Sequence, residues 1–169
     1  MGDVFKEQLI KKHSTFKDFI LKALIGLGFI IAVAATMLAF QQLLPIIILV
    51  MGFLVFYLYG LLNKEFEYIF TNGELDIDCI YGKARRKRKF TCNIKDARFL
   101  AHANNREAEV ELKKITESLN FGSGRVNENT WYLLVSHQGK HVKMIFEPNE
   151  AMFNAIRTYI GPRKIYKKL

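Results

Sequence analysis

Hydrophobic residues along this chain follow two rhythms. Near the start, Ala23 to Phe40 and Leu43 to Leu62 are continuous apolar runs without a charge, separated by Gln41 and Gln42. Each is about the 20 residues that an α-helix rising ~1.5 Å per residue needs to cross a ~30 Å hydrocarbon core. The Gln-Gln pair leaves room only for a tight turn. Pro45 suits the first turn of the second helix, where its missing N–H is not needed. The pattern therefore predicts a two-helix transmembrane hairpin over residues 19–62 with both ends on one side. Gly28, Ala32, Ala35, Thr36 and Ala39 recur along one side of the first helix, and the second offers Gly52 and Gly60. Small residues let helices approach closely, so these positions are the expected packing face, between the two helices or toward a partner's. In the preceding segment, residues 1–18, Phe5, Leu9 and Phe16 recur at near-helical spacing, with Phe19 continuing the series. They fit either a short helix in the headgroup layer or an extension of the first span.

From residue 63 the period changes to two. Asn72-Gly73 suits a type I′ turn, which needs positive φ at both central positions. Counting outward pairs Phe70 with Leu75, Tyr68 with Ile77 and Phe66 with Cys79. One face is then apolar, while Glu67, Ile69, Glu74, Asp76 and Asp78 occupy the other. A second turn near Gly82-Lys83 leads into a third strand, Arg85 to Ile94. A two-residue loop sets Lys87 opposite Asp78 and Lys89 opposite Asp76, as ion pairs each worth at most roughly 1 kcal/mol. Arg86 and Arg88 then project inward, with no evident partner. Further on, Trp131 to His137 and Lys140 to Glu147 flank Gln138-Gly139, pairing Val135 with Val142, Leu133 with Met144 and Trp131 with Phe146. Asn149 is a candidate N-cap for a helix carrying Met152, Phe153, Ile156, Tyr159 and Ile160, ended by Gly161-Pro162 before a basic tail, Arg163 to Leu169. Between these blocks, Ala97 to His102 extends the third strand or begins another. Ala108, Leu112, Ile115 and Leu119 favour a helix, against the alternation of Val110 and Leu112. The fold class is an α-helical transmembrane hairpin followed by a mainly-β (α+β) domain, 63–169. That domain is expected to be a curved antiparallel sheet or small barrel with a C-terminal capping helix.

The formal net charge of +9 sharpens the orientation rather than the fold. Lys6, Lys11, Lys12 and Lys17 precede the hairpin, Lys64 and a denser basic run follow it, and its tip has no Lys or Arg. The positive-inside rule then makes both termini cytoplasmic, with the membrane crossed twice. A signal peptide cleaved after Ala32-Val33-Ala34 is the competing reading. The long charged stretch before it and the second apolar run after it argue against that. Neither span carries the ionisable groups that ion pathways and proton relays need, which disfavours transport.

Candidate chemistry is sparse. Cys79 and Cys92 lack metal-ligand spacing, and Glu67, Asp76 and Asp78 have no His or further carboxylate at a fixed offset. His137 and His141 flank a turn, and Gly122-Ser-Gly124 lacks the Lys and helix context of a phosphate loop. No nucleophile, base and orienter form a set, and no cofactor is implied, so the expectation is a non-enzyme. The basic run Lys83, Arg85, Arg86, Lys87, Arg88 and Lys89 either pairs within the sheet or meets anionic membrane lipids. Nucleic acid is disfavoured because no aromatic residue interleaves with the run. Two functions remain: a lipid-binding module at the membrane, or an accessory or scaffold subunit whose partner is another membrane protein or a second copy of itself.

Tyr68-x-x-Thr71-Asn72-Gly73-x-Leu75, followed by Gly82, the basic run and Ile94, resembles the opening strands of bacterial pleckstrin-homology-like (PH-like) domains. Over nearly its whole length, with the stretch Phe70 to Asp78 and the N-terminal hairpin, the chain is also similar to a family of small Gram-positive bacterial membrane proteins. The resemblance implies a PH-like domain behind a membrane hairpin, with lipid or protein binding as its expected work. It implies no activity.

Overall fold

The computed structural model describes residues 3–105, 108, 112, 115, 117–137, 139–161 and 164–166. The chain divides into two compact units, one of Ser14–Lys64 with Tyr81–Arg85, the other of Met1–His13, Glu65–Ile80 and Arg86–Leu169.

The first unit is the hairpin. Helix α1 (Phe16–Ala39) and helix α2 (Leu44–Leu62) are joined by a 3-10 turn, Gln41–Leu43, with Pro45 in the first turn of α2. Both helices are long and apolar enough to cross a membrane. Helix α1 starts before the apolar run because Thr15 and Asp18 form a capping box, each side chain accepting from the other's backbone N–H. The half-buried seam runs along Lys22, Ile25, Gly26, Phe29, Ala32, Val33 and Thr36 on α1, and along Ile47, Met51, Val55, Leu58, Tyr59 and Leu62 on α2. Of the expected packing face, Ala32, Thr36, Gly52 and Gly60 are half-buried, whereas Gly28, Ala35 and Ala39 are exposed. A Cβ on Gly28, Gly52 or Gly60 would meet nothing within 4 Å, but one on Gly26 would stand 3.3 Å from the Tyr59 hydroxyl. Large side chains such as Phe29 and Met51 fill the seam, and the close approach falls at Gly26, where Tyr59 reaches across to donate to the Lys22 carbonyl at 2.8 Å.

The second unit is a two-sheet β domain. One sheet has the order β1 (Phe5–Lys11), β2 (Lys64–Thr71), β3 (Glu74–Tyr81), β4 (Arg85–Asn93). In the other, β6 (Glu117–Asn120), β8 (Lys140–Phe146), β7 (Trp131–His137), β5 (Ala97–His102) and β9 (Ile165–Tyr166) lie side by side in that order. Asn72 and Gly73 both have positive φ, as the type I′ turn requires, and the counted β7–β8 pairs Val135/Val142, Leu133/Met144 and Trp131/Phe146 are the observed register. Antiparallel pairing fails at two edges, where β6 runs parallel to β8 and β9 parallel to β5.

The N-terminal segment departs from a helical reading. Residues 5–11 form strand β1, antiparallel to β2 with Lys11 opposite Glu65, so the hairpin is an insertion between two paired strands. The spacing of Phe5 and Leu9 is ambiguous in principle, since residues four apart share a face in a strand as well as in a helix. Phe16 and Phe19 belong to α1, as the alternative reading had it. Strand β1 is tied at its start and at its centre. Val4 and Asn72 exchange hydrogen bonds at the turn, Val4 N donating to Asn72 Oδ1 at 3.0 Å and Asn72 N to the Val4 carbonyl at 3.1 Å. Gln8 donates to the Glu147 carbonyl at 2.8 Å and accepts from Asn149 N at 2.7 Å.

The third strand ends at Asn93. A 3-10 turn, Ile94–Asp96, follows, and Ala97 begins a new strand. Ala108 and Leu112 are helical and buried against Phe99, Ala101 and Leu134, with Ile115 packed beside them; Leu119 has left the helical pattern for strand β6. Val110, Gln138, Pro162, Arg163 and residues 167–169 lie outside the described residues. Helix α3 (Glu150–Ile160) is capped by Asn149, whose side chain accepts from Met152 N at 2.8 Å, and it buries Met152, Ile156 and Ile160. It packs against β1, the 94–96 turn and β5. At the centre, Tyr68 is fully buried, its hydroxyl donating to the Phe121 carbonyl at 2.7 Å and accepting from Glu147 N at 3.3 Å.

Candidate functional site

The basic segment 83–89 divides into two parts with different work. On the outer face of the four-stranded sheet, Arg88 bridges two carboxylates, its Nη1 2.7 Å from Asp76 Oδ2 and its Nε bonded to Asp78 Oδ1. Arg86 Nη2 reaches Glu67 Oε1 at 2.7 Å. Asp76 and Asp78, the expected partners of Lys89 and Lys87, are both held by Arg88, and Arg86 and Arg88 face outward rather than inward. Thr91 also bonds Asp76, at 2.6 Å. Residues 88 and 91 would point to opposite faces of a regular strand, so the alternation breaks between them while Phe90 and Cys92 stay in the core. An edge strand such as β4 tolerates that irregularity. Arginine suits the task because its planar fork can serve two carboxylates at once.

The turn before these arginines belongs to the hairpin unit. Gly82 and Lys83 both have positive φ, and Ala84 N donates to the Tyr81 carbonyl at 3.1 Å, closing a type I′ turn. Gly82 N donates to the Asn63 carbonyl at 2.9 Å, and a Cβ on Gly82 would stand 3.0 Å from the Gly60 carbonyl oxygen. Only glycine lets the turn sit so close to the end of α2. Around it, Lys22 Nζ donates to Asn63 Oδ1 at 3.4 Å, and Lys64 Nζ lies 5.7 Å from the Tyr81 ring centroid. Lys83 and Arg85 are exposed. The charged residues of this unit are Lys17, Lys22, Lys64, Lys83, Arg85 and Asp18, all at the end of the hairpin away from Phe40–Leu43. Asp18 is already engaged with Thr15. Tyrosines and lysines at the mouth of two apolar helices match the composition of a membrane–water boundary. Lys22, Lys64 and Tyr81 escaped the sequence reading as site residues. Their positions flank the apolar runs, but only the fold brings the Gly82 turn to them.

Ser123 donates to Glu147 Oε1 through both its N–H and its hydroxyl, each at 2.9 Å, which occupies the Gly122–Gly124 loop. A cavity of about 60 Å³ beside it, lined by Asn120, Arg125, Tyr132 and Glu147 among others, is far below the size of a metabolite site. Among the described residues no group of three or more His, Cys, Asp or Glu is arranged to hold a metal ion. His141 pairs with the Ser136 hydroxyl at 3.2 Å. Cys79 and Cys92 are buried, and burial, reinforced by the charge of Asp76, pushes the Cys92 thiol up to about 12. Neither thiol can therefore report which side of a membrane the domain occupies.

No significant match exists among curated proteins or among solved structures. One family model, described as a bacterial PH-like domain (DUF6106), matches residues 2–167 and so takes in strand β1 and the hairpin as well as the β domain. The chain belongs to this family of bacterial PH-like domain proteins.

Proposed function

We propose that this protein is a membrane-anchored, non-catalytic module that works at the cytoplasmic leaflet of a bacterial membrane, both termini cytoplasmic, and holds anionic phospholipid headgroups at the base of its hairpin. Lys83 and Arg85 make the contact, with Lys22 and Lys64 beside them. Arg86 and Arg88 serve the sheet instead. The observation that carries this reading is the charge of the hairpin unit: five cations and one engaged carboxylate at one end, none at the other. Each Lys or Arg near an anionic surface gains on the order of 1 kcal/mol. The full chain, extracted in mild detergent from membranes of mixed anionic and zwitterionic lipid, should retain anionic lipid preferentially. Lys83→Gln with Arg85→Gln should reduce that preference on the order of tenfold, which is the factor 1.4 kcal/mol represents. Equal retention by the doubly substituted chain would remove the lipid reading.

Orientation has a separate test. A cysteine introduced at Lys140, which is 76% exposed, should resist a membrane-impermeant thiol reagent in intact cells and react once the cells are opened. Labelling from outside would reverse the topology. The second reading, an accessory or scaffold subunit, is favoured by Phe5 and Leu9, which stand 57% and 56% exposed on the edge strand β1. A stoichiometric protein partner that stays bound after the Lys83/Arg85 substitutions would put this reading first.

A further inference from the structure

The outer face of the four-stranded sheet contains a carboxylate that its surroundings do not satisfy. Glu67 on β2 is 2% exposed. Its Oε1 accepts from Arg86, but its Oε2 is buried with no hydrogen-bond partner among the described residues. Leu9 stands directly opposite on β1, and Glu7 is the diagonal neighbour of Glu67 on the same face. The charges facing Glu67 come from every neighbouring strand. Strand β1 contributes Glu7 and, opposite Glu65, Lys11; β2 contributes Glu65; β3 contributes Asp76 and Asp78; β4 contributes Arg86 and Arg88. Arg88 is committed to the two aspartates, which leaves Arg86 as the counter-ion for Glu67 and none for Glu7 at the junction. Two ionised carboxylates side by side there would repel, and Glu67 Oε2 would still lack a donor.

We propose that Glu67 and Glu7 share one proton in the folded protein, Glu67 donating from Oε2 to the Glu7 carboxylate, and that this shared proton fastens the middle of β1 to the sheet. A proton fills the vacancy that no side chain fills. It turns the orphaned oxygen into a donor and cancels the repulsion in one step. Burial first, then the bond to Glu7, holds the Glu67 carboxyl above the ordinary glutamate range, with Arg86 opposing. A group whose folded value is raised stabilises the folded form fully at low pH, and that contribution fades as pH rises through the folded value. A rise in pH through the folded value therefore loosens β1, the strand that leads into the membrane hairpin. The ties of Asn72 to Val4 and of Gln8 to Glu147 and Asn149 persist, so β1 loosens without leaving the sheet.

Hydrogen exchange on the full chain in lipid nanodiscs tests this, with the exchange of residues 5–11 normalised to that of 131–137. The normalised exchange should rise about tenfold per pH unit between the ordinary glutamate value and the folded one. Glu67→Gln should flatten the pH response. Glu7→Gln, at an exposed position that does not threaten folding, should flatten it too and slow exchange above the folded value, because its amide donates to ionised Glu67 without a proton. Infrared spectra should contain a protonated-carboxyl band that is lost in Glu67→Gln and kept in Glu65→Gln. A flat response in the unsubstituted chain, or an undiminished one in Glu7→Gln, overturns the proposal.

Discussion

Gly73→Ala should lower the stability of the β domain by about 2–4 kcal/mol, the sum of a disfavoured backbone conformation and a displaced aromatic ring. Gly73 has φ +100, a conformation L residues rarely adopt, and a Cβ there would lie 2.8 Å from Cδ1 and 3.1 Å from Cε1 of Tyr159. Tyr159 cannot retreat without loss, because its ring makes an edge-to-face contact with Phe70 at 5.4 Å, and Phe70 is fully buried. The Gly73 carbonyl also accepts from Ile94 N at 2.8 Å, so a shift of the turn would pull on the connection into β5. The fluorescence of Trp131, the chain's only tryptophan, stacked at 4.4 Å on Phe153 of α3, reports unfolding of this domain in denaturant. Pairing the change with Tyr159→Ala separates the two contributions. If the clash dominates, the double variant loses much less than the sum of the single ones; if backbone strain dominates, the losses add. An unchanged midpoint for Gly73→Ala would mean that the turn does not rest on α3.

That turn also marks where sequence is informative. Asn72-Gly73 announces its own geometry and, through the period of two, the faces of β2 and β3; the β7–β8 register and the Asn149 cap were legible for the same reason. These are local signals, carried by neighbours within a few residues. What escaped the sequence is set by distant partners. Strand β1 is a strand because β2, more than 50 residues later, offers it an edge, and nothing between Phe5 and Lys11 distinguishes that outcome from a helix. Leu119 continues a helical spacing but pairs with Met144 on β8. The outward turn of Arg86 and Arg88 depends on a break in alternation between Arg88 and Thr91 that no turn residue signals. In the hairpin, small residues drew attention to Gly28, which is exposed, while large side chains such as Phe29 and Met51 are half-buried. Of the candidate site, the cations were all visible, but their division into sheet pairs and hairpin base rests on the Gly82–Asn63 hydrogen bond and on the placement of Glu67, Asp76 and Asp78.

The division of the basic segment predicts opposite outcomes for residues a few positions apart. Arg88→Ala should destabilise the domain by about 2–4 kcal/mol. Removing one partner of a buried pair typically costs about 3–5 kcal/mol, less here because Arg88 is itself half-exposed. Asp78 is 4% exposed and would be left beside Asp76 without the guanidinium that serves both. Arg88→Lys should recover only part of the loss, since a single ammonium cannot reproduce the fork. Arg88→Met combined with Asp78→Asn should recover more, because the pair leaves together and no buried charge is stranded. Lys87→Ala, at an exposed position between the two arginines, should change stability by less than about 0.5 kcal/mol. Trp131 fluorescence in denaturant measures all four. Lipid retention reads the same variants the other way: Arg88→Ala should keep the preference for anionic lipid, whereas Lys83→Gln with Arg85→Gln should lose it with little change in stability. If Arg88→Ala proved harmless to the fold and instead abolished lipid retention, the ion pairs on the sheet would be incidental and the whole run would belong to the membrane.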